Sequence, residues 1–308
     1  MVLIFFKTSL CTKTIILLFQ AVYCLFLSLN SIKPKQMRNL EDICMQVVEM
    51  SAQVGEYLME EKDRLSSKDV ETKGKHNYVT YVDKTAEKYI VEGLSKIFPP
   101  AGFITEEGTG EKKDGEFNWI IDPLDGTTNF IHGLAPFCIS IALQKDDEIV
   151  LGVIHDPTLQ ETFYAWDESP AFLNYQPITV SETRKLDDAL LATGFPYTDY
   201  GFLEGYMELF KWTMENTRGV RRLGSAAIDL AYVACGRMDG FFEYGLKPWD
   251  VAAGSFIVQK AGGKVTDFTG GKNYVFGGEI MAFNANLISE FQQAVDKTYN
   301  IKKHSMES

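Results

Sequence analysis

Apolar and polar positions alternate along the chain with two periods. Leu40, Ile43, Cys44, Val47 and Val48 trace one face of a helix that opens at Asn39, a plausible N-cap, with Asp42 in its first turn. A polar stretch, "SSKDVETKGKHNYVTYVD", reads as a hairpin or loop. Asp83 then precedes, and could cap, a second amphipathic helix carrying Ala86, Ile90, Leu94 and Ile97, which Pro99 and Pro100 end. "GFITEEGTG" is a short strand opening into a loop. In "PFCISIALQ", Phe137, Ile139, Ile141 and Leu143 alternate with smaller or polar residues, the pattern of a strand with one buried face. "EIVLGVIHDP" and "ETFYAWDE" continue a meander. From about residue 186 the texture changes. Strands at "DALLATGF", "DGFFEYG" and "IMAFNA" alternate with helices at 202–217, "GSAAIDLAYVACG", "PWDVAAGSFIVQKAGG" and a last one to about 299. The pattern predicts a layered α/β or α+β fold. Its expected divisions are an α+β part (37–185), an α/β part (186–300) and a polar tail (301–308).

The first 36 residues stand apart, with Lys7, Lys13, Lys33, Lys35 and no acid. Residues 14–29 are almost wholly apolar. They are short for a spanning helix and long for a signal core. Three readings fit: translation beginning at Met37, an uncleaved anchor, or a cleaved signal. The first, with the scattered cysteines, gives a cytoplasmic protein. The second gives a membrane-anchored one, with membrane association only through 14–29.

Composition narrows the chemistry. The 308 residues are 45% hydrophobic, enough for a sizeable core, and the formal net charge is −12. That charge argues against a nucleic-acid surface and suits a cation-binding protein. The five cysteines form no CxxC pair and the four histidines no ligand spacing, which disfavours zinc and suggests reduced thiols.

The candidate chemistry is acidic. "WIIDPLDGTTNF" (119–130) reads as a buried strand that stops at two aspartates, Asp122 and Asp125, three residues apart. "ITEEG" places Glu106 and Glu107 at another strand end, and "KPWD" places Asp250 in the first turn of a helix. Taken singly, these are turn, loop and helix-start acids. Gathered in one cleft they would repel and call for a cation. Oxygen-only ligands favour Mg²⁺. Gly126 and Thr127 offer N–H groups at a helix start, a ready phosphate seat. Two other readings fail. An EF-hand loop from Asp122 would need Glu at its twelfth position, which is Gly133. An aspartyl-phosphate enzyme would carry DxDGT, whereas this chain has DxxDGT.

"EEG", "WIIDPLDGTTNF", "VRRLGSAAIDLAYVACGRMDGFFEYG" and "GLKPWDVAAG…AGG", in that order, resemble the inositol monophosphatase family, close to its bacterial branch. The resemblance covers about 37–300. It implies a layered α-β-α-β-α sandwich of the sugar-phosphatase type, usually a homodimer, with two or three Mg²⁺ per active site and sensitivity to Li⁺. Carried over by position, Glu106, Asp122 and the carbonyl of Leu124 resemble the ligands of one metal. Asp122, Asp125 and Asp250 resemble those of a second, and a third, weaker metal would also use Glu106. Asp83 and Thr127 match the pair that orients the nucleophilic water, and Gly126 and Thr127 the phosphate-binding N–H groups. Glu243 matches the residue that grips substrate hydroxyls, with Ser225 and Ala226 on that side and Asp125 nearby. The implied activity is hydrolysis of a small phosphate monoester, inositol 1-phosphate. The alternatives are 3′-phosphoadenosine 5′-phosphate, histidinol phosphate or fructose 1,6-bisphosphate, or a non-enzymatic regulatory protein on the same fold. Residues 1–36 have no counterpart in the family pattern.

Overall fold

A computed structural model describes residues 39–65, 70–74, 77–197 and 199–300. The expectations for residues 1–36, for the 14–29 run and for the 301–308 tail lie outside these. Among the described residues no helix is long and apolar enough to cross a membrane.

Two sheets organise the chain. The larger runs, in spatial order, β3 (Gly102–Thr105), β4 (Phe117–Asp125), β5 (Cys138–Lys145), β6 (Glu148–Asp156), β7 (Glu161–Trp166), β8 (Ala171–Leu173) and β9 (Gln176–Ile178). It is an antiparallel meander except for β3, which lies parallel to β4. The smaller sheet has the order β11 (Gly219–Arg221), β10 (Leu190–Thr193), β12 (Gly240–Tyr244), β14 (Glu279–Phe283) and β13 (Lys264–Thr266), with parallel and antiparallel pairs. A separate hairpin pairs β1 (Val70–Gly74) with β2 (Asn77–Thr80), where the sequence reads hairpin or loop.

Helices fill the spaces as the apolar patterns require. Leu40–Lys62 and Tyr81–Ile97 cover one face of the larger sheet and seal a core that includes Val47, Leu58, Ile90 and Trp119. Ala226–Ala234 and Pro248–Lys260 lie between the two sheets, in a core of mostly small residues. Leu203–Asn216 and Ile288–Val295 cover the far face of the smaller sheet, over Tyr206, Phe242 and Phe291. The result is five layers, α-β-α-β-α. The central helices are nearly apolar all round, as helices buried on both sides must be.

Two local expectations are revised. The 138–145 strand is buried on both faces, because the outer helices and the Pro248–Lys260 helix sandwich it. Asp83 is not the N-cap. The helix starts at Tyr81, Thr80 caps it, and Asp83 is the third helical residue of a capping box. The strand at "WIIDPLD" ends at the second of its two aspartates, as its sequence reads. β4 continues to Asp125, which pairs with Cys138 across a register shift between Asp122 and Asp125. A bulge at Pro123, which cannot donate to the ladder, re-aims both aspartates while keeping the strand in the sheet.

Trp119 anchors this strand from beneath. It is fully buried, and its indole N–H has no hydrogen-bond partner. Trp119→Ala is expected to cost about 3–5 kcal/mol of stability by leaving a cavity. Trp119→Phe should cost much less, since no hydrogen bond is lost. Urea midpoints for the two variants provide the check; equal midpoints would contradict this packing account.

Candidate active site

The bulge places Asp122 and Asp125 at the floor of a cleft of about 290 Å³. Asp250 reaches the same place from the start of the Pro248–Lys260 helix, where its Oδ2 accepts the Lys247 N–H at 2.7 Å. Ser140 Oγ donates to Trp249 O at 3.0 Å and ties that helix start to β5. Asp122, Asp125 and Asp250 each bring one oxygen within 4.8 Å of the others, near enough to share an ion. Glu106 lines the same cleft from the end of β3.

The electrostatics of this floor are adverse without a cation. Burial raises the Glu106 carboxyl to about 8, and the charges of Asp250 and Glu107 add to it. Burial and then Asp125 raise Asp250 to about 7. Asp122, 2% exposed, is pushed well up by burial and then by Glu106, Asp125 and Asp250. Asp125 reaches only about 6, because hydrogen bonds from Ser225 and Ala227 oppose its burial. Four carboxyls, one buried and three half-buried, held above their ordinary range with no histidine or thiol ligand among them, fit a hard, oxygen-seeking cation.

Beside the acids, the chain turns into the helix Thr127–Ile131. Gly126 takes φ +94°, and a Cβ there would sit 3.1 Å from Pro136 O and 3.2 Å from Gly224 O, so only glycine fits. With five residues this helix offers oriented N–H groups rather than an appreciable dipole. Thr127 Oγ1 lies 3.2 Å from Asp83 Oδ1 and 3.0 Å from Leu124 O. The other oxygen of Asp83 is occupied by Thr80, through its N–H at 2.9 Å and its hydroxyl at 2.5 Å. Asp83 is 1% exposed, and burial raises its carboxyl despite these bonds.

The far side of the cleft comes from the 186–300 part. Glu243 and Ala226 line it, and burial pushes the Glu243 carboxyl well up, Asp250 adding to the shift and Arg222 opposing it. Gly194 faces Glu243 so closely that any Cβ would overlap its carboxylate. Ser225, expected on the substrate side, is 2% exposed, and its hydroxyl donates to Asp125 Oδ2 at 2.6 Å.

Most of the expected residues therefore converge: all line the cleft except Asp83, which reaches it through Thr127, and Glu107, whose N–H is instead held by Glu87. Other residues carry no signal in the linear pattern. Glu87, fully buried, accepts the N–H groups of Glu107 and Thr109, each at 2.7 Å, and clamps the Glu106 loop. Asn129 donates to Pro136 O and Leu223 O, both at 2.8 Å, bridging the phosphate-seat helix to the second part. Arg222 and Lys247 put positive charge on the cleft wall. Asp229, buried within the apolar helix Ala226–Ala234, also lines it.

A five-layer fold with a carboxylate floor that could hold a metal, beside the N–H groups of a helix start, defines a class of layered α/β proteins. The chain belongs to the inositol monophosphatase family, whose model matches residues 39–298. It is 40% identical over 252 residues to an Inositol-1-monophosphatase of Mesorhizobium japonicum, covering 82% of this chain and 95% of that protein. It is 46% identical over 217 residues to the Nus factor SuhB of Escherichia coli (strain K12), covering 70% and 81%. The crystal structure of the extragenic suppressor protein suhB from Bartonella henselae superposes with a TM-score of 0.78 at 40% identity, covering 82% of this chain and 98% of the other.

Proposed function

We propose that the chain is a Mg²⁺-dependent phosphomonoesterase that hydrolyses inositol 1-phosphate to inositol and phosphate. The observation that carries this reading is the meeting of the Asp122, Asp125 and Asp250 oxygens beside the Asp83–Thr127 pair. The likeness to the Mesorhizobium Inositol-1-monophosphatase supports the choice of substrate. Glu106, Asp122 and the Leu124 carbonyl, with Asp125 and Asp250, would hold two or three Mg²⁺. Bound there, Mg²⁺ supplies positive charge that activates water and stabilises the oxygens of the transferring phosphoryl group.

The chain's own groups do the rest. The N–H groups of Gly126 and Thr127 seat the phosphate. Thr127 donates its hydroxyl proton to Asp83 Oδ1, which leaves a lone pair on Oγ1 to accept a hydrogen bond from the attacking water. Asp83 then takes up the proton that the water loses. Thr80 holds its other oxygen, so the receiving oxygen stays aimed at Thr127. Glu243 and Ala226 receive the hydroxyls of the alcohol. A homodimer, inhibition by Li⁺ and a cytoplasmic location belong to the same proposal.

The test is phosphate release from inositol 1-phosphate with and without Mg²⁺, compared by kcat/KM with 3′-phosphoadenosine 5′-phosphate, histidinol phosphate and fructose 1,6-bisphosphate. Inositol 1-phosphate should lead by at least about tenfold, the order of discrimination that contacts to a few substrate groups provide. Activity independent of metal would overturn the mechanism; a tenfold preference for a rival would overturn the substrate. The relatives named Nus factor SuhB supply a second reading, a regulatory role without catalysis. Mg²⁺ binding with no turnover of any of the four esters would favour it.

A further inference from the structure

Asp125 and Ser225 are a hundred residues apart and stand on different layers, one at the end of β4 and the other at the N-cap of the Ala226–Ala234 helix. A carboxylate turns easily about its last torsion, so its direction must be set by partners. Here one oxygen carries both. Oδ2 of Asp125 accepts the Ser225 hydroxyl at 2.6 Å and the Ala227 N–H at 2.8 Å.

Donor bookkeeping fixes the roles. Ser225 has one proton and two lone pairs. Its proton goes to the acceptor-only carboxylate. Its oxygen accepts the Ile228 N–H at 3.3 Å, and Cys138 Sγ lies 3.5 Å from it and 4.0 Å from Asp125 Oδ2. The hydroxyl proton is thus committed to Asp125, and the residue is only 2% exposed.

We propose that Ser225, with the Ala227 N–H, is the positioning group of Asp125: it occupies Oδ2 and leaves the carboxylate a single oxygen to offer a bound cation. Ser225 therefore acts on the cation and not on the alcohol part of the substrate. The proposal rests on the reading that Asp125 serves a metal. It also makes cation affinity depend on the docking of the two sheets, since the ligand comes from one part of the chain and its holder from the other.

The experiment titrates Mn²⁺ and Mg²⁺, without substrate, into the full chain freed of metal, following bound ion by electron paramagnetic resonance and calorimetry. Ser225→Ala should weaken the cation binding to which Asp125 contributes by about 10–100-fold, the usual effect of removing a group that orients a ligand. Ser225→Thr, which keeps the hydroxyl, should restore it. Ser225→Cys, close in size and a poor donor, should lose as much as Ser225→Ala and serves if that variant does not fold. At saturating Mg²⁺ the KM for inositol 1-phosphate should stay at the parent value. Unchanged Mn²⁺ affinity in Ser225→Ala would overturn the proposal, as would a Ser225→Thr chain with parental thermal stability and no recovered affinity. A parent chain that binds neither ion would instead overturn the metal reading itself.

Discussion

Asp122→Asn is expected to lower kcat for inositol 1-phosphate by at least about 10³, a loss of roughly 4 kcal/mol of transition-state stabilisation. Asp122 occupies the centre of the acidic floor, facing Glu106, Asp125 and Asp250. By position it is the side chain proposed to bridge the first and second metals. Asparagine has the same shape and still offers an oxygen to the Leu124 N–H, which Asp122 Oδ1 accepts at 2.9 Å. The bulge should therefore survive the change. What disappears is a negative charge that the neighbouring carboxyls resist in the absence of a cation. Activity and metal-free stability should move in opposite directions, with the thermal midpoint in EDTA rising as the rate collapses. Both are measured on one preparation. A folded variant with parental activity would refute the assignment. A variant that loses activity and stability together would show that Asp122 acts chiefly in folding.

The fold was legible where one period dominated a long segment. The 40–62 helix shows its face in Ile43, Val47, Val54 and Leu58, all buried. The paired sheets and five layers are not written in any local pattern; the resemblance implied them, and the packing of the two central helices against both sheets accounts for them. The short strands 171–173, 176–178, 219–221 and 264–266 went unread, because three residues give no period to count. The acids were legible as residue types, but their convergence was not. Asp250 comes from a helix in the second part and Glu106 from a strand in the first, so only the docked layers bring them together. Glu87 and Asn129 could not be read at all. Each acts on backbone groups distant in sequence, and a buried Glu on an amphipathic helix looks like any solvated one until its partners fold around it. Asp83 was misplaced by three residues at the cap, and the correction matters for chemistry. As the third residue of a capping box, it has one oxygen fixed by Thr80 and the other left to Thr127.

The same acidic floor sets how stability should depend on pH and on Mg²⁺. Glu106 is raised to about 8, Asp250 to about 7 and Asp125 to about 6, each chiefly by burial. In the unfolded chain such groups ionise near pH 4. Between those limits the folded, metal-free chain holds more protons than the unfolded one. Its stability must then fall as pH rises, by about 1.4 kcal/mol per pH unit for each proton of difference. In EDTA the thermal midpoint should therefore drop from pH 5 to pH 8. For a protein of this size each kcal/mol corresponds to about 2–4 °C. Mg²⁺ reverses the sign of the problem. On the proposed reading it binds the ionised carboxylates of the folded state and not the unfolded chain, so at pH 8 it should raise the midpoint in proportion to the logarithm of its concentration. At pH 5 protons compete for the same oxygens, and the Mg²⁺ effect should be small, with protons released wherever the ion does bind. Differential scanning calorimetry at the two pH values, with EDTA or Mg²⁺, measures all four corners. Asp122→Asn should flatten the EDTA profile by removing one of the interacting charges. An EDTA midpoint that rises from pH 5 to pH 8, or a Mg²⁺ shift equal at both, would mean that these carboxyls do not govern the molecule's response to protons and cations.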